Sequence, residues 1–272
     1  MSNTNKIGIG IVTCNREGFF KKLYESINNV HDVFVVNSGE TLYGYENGIK
    51  HFHMFPQKTP VVFAKNHLFR TMYDEGYDHI FILEDDVLIA DTSVFEKYVN
   101  TAIRSGIFHL NFGFSQKENL DEKGNPVIKT TLDYGNNIKI VLTTNVLGAF
   151  SYYYKGILKN VGLMDEMFGE NAFEHVEHTY RIIKAGLLPP FWNFPDIDQS
   201  WEYIKNQGSP DTTLIRNDDD YRMKMVRALN YFEQKHGVSL FKLNHVIPEQ
   251  DVLNEVYRLE KTYGKQLPYV GE

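Results

Sequence analysis

Three consecutive acids, Glu84, Asp85 and Asp86, interrupt the apolar run of residues 81–89. The apolar and β-branched residues of this run predict a buried strand. Ionised carboxylates beside a buried strand are costly unless they are paired or bound to a metal, and hard divalent cations prefer carboxylate oxygen. The stretch therefore predicts a site for a divalent cation, and a strand end with solvent-facing acids is the alternative.

A second set of side chains able to do chemistry lies in residues 172–185, which have the spacing of a helix. Glu174, His175, Glu177 and His178 fall in this stretch, and both carboxylates and imidazoles can act as general bases. Histidine suits this role because its unperturbed pKa is about 6.5. His175 and His178 are three residues apart and share a helical face, so a two-histidine metal site and a purely structural role are alternatives.

Strands and helices alternate along the first part of the chain in a way that would position such groups. Strands are predicted at residues 7–12, 32–36, 51–54 and 80–83, and helices at residues 17–29, 63–73 and 93–103. This alternation predicts an α/β fold with a doubly wound, mostly parallel sheet and helices on both faces. Ligands of such sheets bind beyond the carboxyl ends of the strands, where residues 84–86 would lie.

The rest of the chain is less regular. Strands are expected at residues 108–114, 138–142 and 148–154, a loop at 193–201, and helices at 156–161, 172–185, 218–235 and 248–263. We therefore predict an α/β catalytic domain over residues 1–200. Residues 201–272 are expected to form a helical C-terminal extension packed on it.

Composition narrows the class of protein. The chain has 272 residues and a net charge of -7 at pH 7, which does not support a generic nucleic-acid binder. Its single cysteine, Cys14, excludes an internal disulfide and suits a reducing compartment. No stretch approaches the roughly 20 apolar residues of a transmembrane helix, and no signal peptide opens the chain. We expect a soluble, cytoplasmic protein.

The order of motifs along residues 7–190 resembles that of the GT-A glycosyltransferases, in particular family 2-like members. The motifs that carry this resemblance are Thr13-Cys14-Asn15-Arg16, Asn37-Ser38-Gly39, Ala64-Lys65-Asn66, Glu84-Asp85-Asp86, Gly162-Leu163-Met164-Asp165-Glu166 and the helical stretch from Glu174 to Arg181. The acids at 84–86 correspond to the Asp-x-Asp signature of the family in its Glu-Asp-Asp form. Each motif alone is weak evidence, whereas their common order is more specific.

The resemblance implies a GT-A-like mixed sheet and a metal-dependent transfer of sugar from a nucleotide-diphosphate donor to an acceptor hydroxyl, with inversion. It implies Mn²⁺ or Mg²⁺ as the cofactor and a UDP-sugar as the donor. Asp86 is the expected metal ligand, and Asp198 is a second candidate. The residues expected to bind the donor are Thr13, Asn15, Arg16, Asn37, Lys65, Asn66, Glu84 and Asp85.

The expected catalytic residues are Glu174 and His175. An inverting transfer needs a base beside the acceptor hydroxyl, and the family has an aspartate at the position of His175. Either His175 or Glu174 could take that role. Two other positions depart from the family pattern, because Asn37 stands where an acid is usual and Lys65 replaces an arginine.

Two other functions remain open at this point. One is a catalytically silent module that binds a sugar nucleotide or a glycan, and the other is a sugar nucleotidyltransferase, although the glycine-rich basic loop typical of that class is missing after the first strand. The acceptor could be a glycan, a protein or a hydroxylated base of phage-type DNA. The sequence predicts no oligomeric state.

Overall fold

The structure is a computed structural model that describes residues 6–27, 30–39, 48–115, 117–169, 173–208, 221–243 and 247–264. The strands are β1 (Ile7–Thr13), β2 (Asp32–Asn37), β3 (His51–Met54), β4 (His79–Glu84), β5 (Val87–Ile89), β6 (His109–Asn111), β7 (Thr130–Asp133), β8 (Lys139–Thr143), β9 (Phe150–Tyr154), β10 (Phe194–Ile197) and β11 (Ile204–Asn206). The helices are α1 (Glu17–Ile27), α2 (Val61–Asp74), α3 (Val94–Ser105), α4 (Lys155–Val161), α5 (Glu174–Lys184), α6 (Ser200–Tyr203), α7 (Tyr221–His236) and α8 (Glu249–Tyr263).

A six-stranded sheet in the order β3-β2-β1-β4-β9-β6 forms the centre of the molecule. Strands β1 to β4 pair in parallel, whereas β9 runs antiparallel to both β4 and β6. The sheet is therefore mixed and mostly parallel, as the sequence predicts. Its register places Thr13 opposite Asn37 and Val12 opposite Glu84, so the polar ends of three parallel strands meet at one edge.

Two glycines in β1 let helix α2 approach the sheet closely. A Cβ atom at Gly8 would lie 2.8 Å from the Met72 sulfur, and one at Gly10 would lie 3.0 Å from a Leu68 methyl group. The side chains of Leu68 and Met72 are fully buried against this strand. This close contact fixes α2 over β1, and α2 carries Lys65 and Asn66 into the interior.

The apolar run of residues 81–89 does not form one strand. It divides into β4 and β5 at Asp85 and Asp86, where the chain turns, and β5 then pairs with β11 instead of continuing the main sheet. The division follows from the acids, because a carboxylate inside a buried sheet has no compensation there. Their turn lies at the carboxyl end of β4.

The expectation of a loop at residues 193–201 is wrong, because these residues contain β10. This strand is the edge of a three-stranded sheet in the order β10-β8-β7, and an edge strand tolerates Pro195. All four of its residues are buried, so it lacks the alternation of apolar and polar residues by which strands are recognised. The expected strand at 108–114 is also shorter, since β6 has only three residues.

The C-terminal part of the described chain contributes a strand as well as helices. The apolar face of α8, which includes Val252, Val256 and Leu259, packs against α3. An ion pair of 2.5 Å between Arg104 and Glu260 closes the same contact. The predicted division at residue 200 falls at the start of α6, and a separate extension stays a prediction; the acids at 218–220 lie outside the described residues.

None of the helices among these described residues is long and apolar enough to cross a membrane.

Candidate active site

The turns after β1 and β2 touch, because the parallel pairing of these strands places their carboxyl ends side by side. The Ser38 N–H donates a hydrogen bond of 3.0 Å to the Thr13 carbonyl, and the Gly39 N–H donates one of 3.0 Å to the Asn37 side-chain oxygen. A Cβ atom at Gly39 would lie 2.6 Å from the Asn15 backbone nitrogen, so this close approach requires a glycine. Thr13, Asn15 and Asn37 thus lie together at the carboxyl ends of β1 and β2.

Asp85 links these residues to the acidic turn, which consists of Asp85 and Asp86 between β4 and β5. Its carboxylate accepts a hydrogen bond of 2.7 Å from the Thr13 hydroxyl and forms an ion pair with Arg16. Only 3% of the residue is exposed, and this burial raises the pKa of Asp85 although Arg16 acts in the opposite direction. Both carboxylate oxygens are engaged within the protein, which fixes the turn after β4 against the turn after β1.

Asp86 differs from Asp85 because one of its oxygens has no partner. Its Oδ1 atom is buried without a hydrogen bond, and its Oδ2 atom lies 3.7 Å from the Arg16 guanidinium. Burial and the neighbouring Glu84 carboxylate raise the pKa of Asp86 to about 7. A divalent cation would bind the oxygen that has no partner and would offset the charge of the Glu84 carboxylate. Asp86 is therefore suited to bind a divalent metal.

The described residues around Asp86 offer few further side chains that could bind a metal ion. Across the residues that the structure describes, no three His, Cys, Asp or Glu side chains are grouped so that they could hold a metal ion. A cation on Asp86 would therefore take most of its oxygen ligands from water or from a bound substrate, as Mg²⁺ commonly does.

Gln207, just after β11, holds the acidic turn in place. Its side-chain amide donates hydrogen bonds of 2.9 Å to the Asp85 carbonyl and 2.8 Å to the Val87 carbonyl. Its backbone N–H donates one of 2.8 Å to the Asp86 carbonyl. The sequence gives no signal for this residue, because it becomes significant only through the pairing of β11 with β5.

Lys65 links Glu84, at the end of β4, to Glu174 at the start of helix α5. Its ammonium group lies 2.7 Å from Glu84 and 3.1 Å from Glu174, and the residue is 1% exposed. Burial disfavours the charged lysine, yet the two carboxylates together raise the pKa of Lys65 above its ordinary value. Lys65 is thus a buried counter-ion that fixes the distance between the two acids.

Glu174 and His175 form a pair at the start of α5. The His175 Nδ1 atom lies 3.3 Å from the Glu174 carboxylate. Burial opposes the ionisation of Glu174, but Lys65 and His175 outweigh it and hold the pKa of Glu174 below its usual range. A Cβ atom at Gly148 would lie 2.9 Å from His175 Nδ1 and 3.3 Å from the Lys65 nitrogen, so Gly148 makes room for the arrangement.

Asn66 stabilises the structure rather than facing the cleft. Its amide nitrogen donates a hydrogen bond of 2.9 Å to the Met164 carbonyl, and its oxygen accepts one of 3.0 Å from the Met164 N–H. The same nitrogen lies 3.1 Å from Glu166. These contacts link helix α2 to the turn at residues 162–166.

The remaining polar residues of the α5 motif are structural too. The Arg181 guanidinium binds Glu177 at 3.0 Å and donates a hydrogen bond of 2.6 Å to the Leu163 carbonyl. His178 is fully buried and bonds the Gly162 carbonyl at 2.9 Å. The Nε2 atom of His178 is engaged by that carbonyl, so this nitrogen is not available to a metal ion shared with His175.

Asp198 is not brought to the cleft. Asp198 directly follows β10, and its N–H donates a hydrogen bond to the Lys139 carbonyl. Phe194, at the other end of this strand, lines the cavity described below. The two positions are four residue steps apart, which is about 13 Å along an extended chain. Asp198 is therefore not brought beside Asp86 in this cavity. Asp196 also lies inside the protein, where it accepts hydrogen bonds from Tyr98, Ser200 and the Gly113 N–H.

A cavity of about 390 Å³ lies beside these groups. Its lining includes Glu84, Asp86, Glu174 and His175, the further polar residues Glu118, Asn145 and Tyr221, and a larger number of apolar residues. The structure therefore brings together four of the predicted site residues in one cavity. Carboxylates and an imidazole that line one cavity can bind a cation and accept a proton.

The chain is similar in fold to one solved structure with a TM-score above 0.5, and more weakly to two others. The crystal structure of S. aureus TarS matches with a TM-score of 0.51 and 14% identity, over 93% of this chain and 48% of that chain. The catalytic domain of Drosophila β1,4-galactosyltransferase 7 in complex with xylobiose gives a TM-score of 0.49 and 13% identity, over 90% and 82%. The mannosyltransferase PcManGT from Pyrobaculum calidifontis, in complex with GDP-Man and Mn²⁺, gives 0.41 and 11%, over 59% and 47%.

The chain has a GT-A-like α/β fold with a mixed, mostly parallel sheet. At these identities the likeness is one of fold alone, and the chain spans about half the length of the TarS and PcManGT chains. No protein-family model and no curated protein sequence matches it.

Proposed function

We propose that the protein is a metal-dependent glycosyltransferase that moves a sugar from a nucleotide-diphosphate donor to an acceptor hydroxyl. The observation that carries this proposal is the unpartnered buried oxygen of Asp86 in a cavity that also contains the Glu174–His175 pair. The GT-A-like fold and the family 2-like order of motifs support it. The single cysteine, Cys14, supports a cytoplasmic location.

In this proposal Asp86 binds Mn²⁺ or Mg²⁺ and the donor diphosphate completes the coordination. When bound, the cation supplies Lewis-acid neutralisation of the diphosphate charge that grows as the sugar leaves. Thr13, Asn15 and Asn37, at the carboxyl ends of β1 and β2, form the end of the site at which we place the nucleoside. The expected donor is a UDP-sugar. Arg16 lies between that end and Asp86, where its charge faces the phosphates.

Lys65 and Asp85 have indirect roles here. Asp85 fixes the two turns, and Lys65 holds Glu84 and Glu174 in place, because their charged atoms are already paired. Glu84 keeps an exposed part of its side chain toward the cavity, so it remains a candidate to contact a donor hydroxyl.

We propose His175 as the general base and Glu174 as the residue that orients it. Glu174 is buried and bonded to Lys65, which stabilises its charged form and makes it a weak base. His175 is partly exposed in the cavity, and its Nδ1 contact with Glu174 leaves Nε2 for an acceptor hydroxyl. A base on the acceptor side, opposite the leaving diphosphate, suits transfer with inversion.

A panel of nucleotide sugars incubated with the protein and Mn²⁺ or Mg²⁺ tests this proposal. We expect slow, metal-dependent release of the nucleoside diphosphate from one donor, measured by mass spectrometry. Release that is equally fast with EDTA, or no release from any donor although the protein binds one, would contradict it. The second result would favour a silent sugar-nucleotide-binding module.

A further inference from the structure

The apolar wall of the cavity identifies a property of the acceptor, given the proposed function. The wall consists of apolar side chains that line the same cavity as Glu84, Asp86 and the Glu174–His175 pair, and its members include Phe173, Phe191, Trp192, Phe194, Met225 and Phe241. These side chains favour a ligand group that presents an apolar face, because a hydroxyl group turned toward them would lose its hydrogen bonds to water.

The position of the wall separates it from the place proposed for the nucleoside. Thr13, Asn15 and Asn37 do not belong to the described residues that line the cavity, whereas His175 does. A group bound against the wall would therefore lie on the side of the proposed base. This is the side from which an acceptor hydroxyl must attack in an inverting transfer.

The wall rests on a hydrophobic cluster of its own. The Phe191 ring lies 5.0 Å from the Trp192 ring and 4.9 Å from the Phe194 ring, in both cases nearly perpendicular. Val176 and Leu240 are buried in the same cluster, which is separate from the core under the main sheet. Such edge-to-face packing gives the cavity a rigid aromatic surface.

Two aromatic residues of the wall have unfavourable backbone conformations. Phe173 has a φ of 64° and Trp192 a φ of 69°, values that bulky residues rarely adopt. Trp192 is held by a hydrogen bond of 2.8 Å from the Lys129 ammonium to its carbonyl and one of 3.2 Å from its indole N–H to the Leu243 carbonyl. Strain of this kind is characteristic of ligand sites, and here both strained aromatics line one cavity.

We infer that the acceptor carries its reactive hydroxyl on, or directly beside, a flat apolar ring that packs against this wall. The cavity volume of about 390 Å³ is in the range of small-molecule sites and accommodates one or two rings. The ring supplies apolar contact with Phe191, Trp192 and Phe241, and the hydroxyl group lies toward His175.

Binding of three glucosides that differ only in the aglycone tests the inference. Phenyl, octyl and methyl β-glucopyranoside are titrated by saturation-transfer NMR against the full chain with Mg²⁺ and UDP. We expect phenyl glucoside to bind at least about tenfold more tightly than methyl glucoside, since burial of a ring removes apolar area from water. Equal affinities of the phenyl and methyl compounds, or a preference for octyl over phenyl, would overturn the inference.

Two substitutions locate the binding site. Phe241 lines the cavity and is 64% exposed, so Phe241→Ala should not disturb the fold but should weaken phenyl glucoside binding several-fold. Met167 is 71% exposed and lies outside the cavity lining, and Met167→Ala is the matched control. Equal phenyl glucoside affinity in Phe241→Ala and Met167→Ala would also overturn the inference.

The outcomes distinguish this inference from the function on which it rests. Metal-dependent donor turnover with no preference for the phenyl compound would overturn the inference alone. A phenyl preference without turnover of any donor would overturn the proposed function, and with it the assignment of this wall to an acceptor.

Discussion

Three neighbouring acids have three different environments, and this difference decides their roles. Asp85 is fully bonded to Thr13 and Arg16, Glu84 is paired with Lys65, and Asp86 keeps a buried oxygen without a partner. The sequence predicts a cation site from the three acids together. It cannot assign their roles, because these depend on residues of β1 and α2 that are distant along the chain.

Replacement of Lys65 tests whether it is a structural counter-ion. Lys65→Met leaves the buried Glu174 carboxylate without its cation, and we expect the free energy of unfolding at pH 7 to fall by about 3–5 kcal/mol. Urea denaturation measures this change, with the exposed Lys21→Met as the control. The double variant Lys65→Met/Glu174→Gln should recover part of the loss. An unchanged denaturation midpoint in Lys65→Met would show that the pair does not stabilise the fold.

Kinetics of two variants separate the roles of His175 and Glu174. Loss of the proposed base in His175→Ala should lower kcat by roughly 10²–10⁴-fold and leave the donor KM nearly unchanged. Glu174→Gln should have a smaller effect, because an amide can still orient the imidazole. If both variants keep near wild-type turnover, the start of α5 is structural and the assignment is wrong.

At the scale of elements, the sequence predicts those with clear periodicity and misses those that depend on tertiary pairing. The strand at residues 7–12 and the helix at 93–103 show their period directly in the order of apolar residues. β10 is buried throughout and contains Pro195, and β11 is only three residues long. The site consequently includes Gln207, which no local pattern indicates.

Substitution of Gln207 tests the contribution of β11 to the metal site. Gln207→Ala removes two hydrogen bonds from the turn that carries Asp86, and we expect Mn²⁺ affinity in the presence of UDP to fall about 10- to 100-fold. Titration calorimetry measures the affinity, and the thermal midpoint checks that the fold persists. Lys205 is at an exposed position of β11, and the Lys205→Ala variant should bind Mn²⁺ with wild-type affinity. Wild-type Mn²⁺ affinity in Gln207→Ala would contradict a positioning role.

At the scale of the whole molecule, burial of histidines makes the fold sensitive to acid. Burial lowers the pKa of His79 and of His109 to about 4 in each case. Since the unfolded chain binds these protons near pH 6.5, the stabilisation is complete above that pH and is lost as the pH falls toward 4. We expect a loss of about 3 kcal/mol for a fully buried histidine over this interval.

His79→Phe isolates one part of this effect. The His79 ring is buried, is stacked on Tyr152 and forms a hydrogen bond of 2.8 Å with the Tyr152 hydroxyl, which phenylalanine loses at every pH. The variant should lose less free energy of unfolding between pH 6.5 and pH 4.5 than the wild type, as measured by urea denaturation at each pH. An identical loss in the two proteins would show that His79 is not held neutral by the fold.

The most direct test of the metal-dependent function is the binding of UDP to the wild type and to Asp86→Ala, with and without Mn²⁺. Titration calorimetry should show that Mn²⁺ strengthens UDP binding to the wild type and has no effect in Asp86→Ala. Glu96→Gln, which changes an exposed acid on α3, should behave as the wild type. Equal UDP affinity of Asp86→Ala and the wild type, both with and without Mn²⁺, would contradict the account.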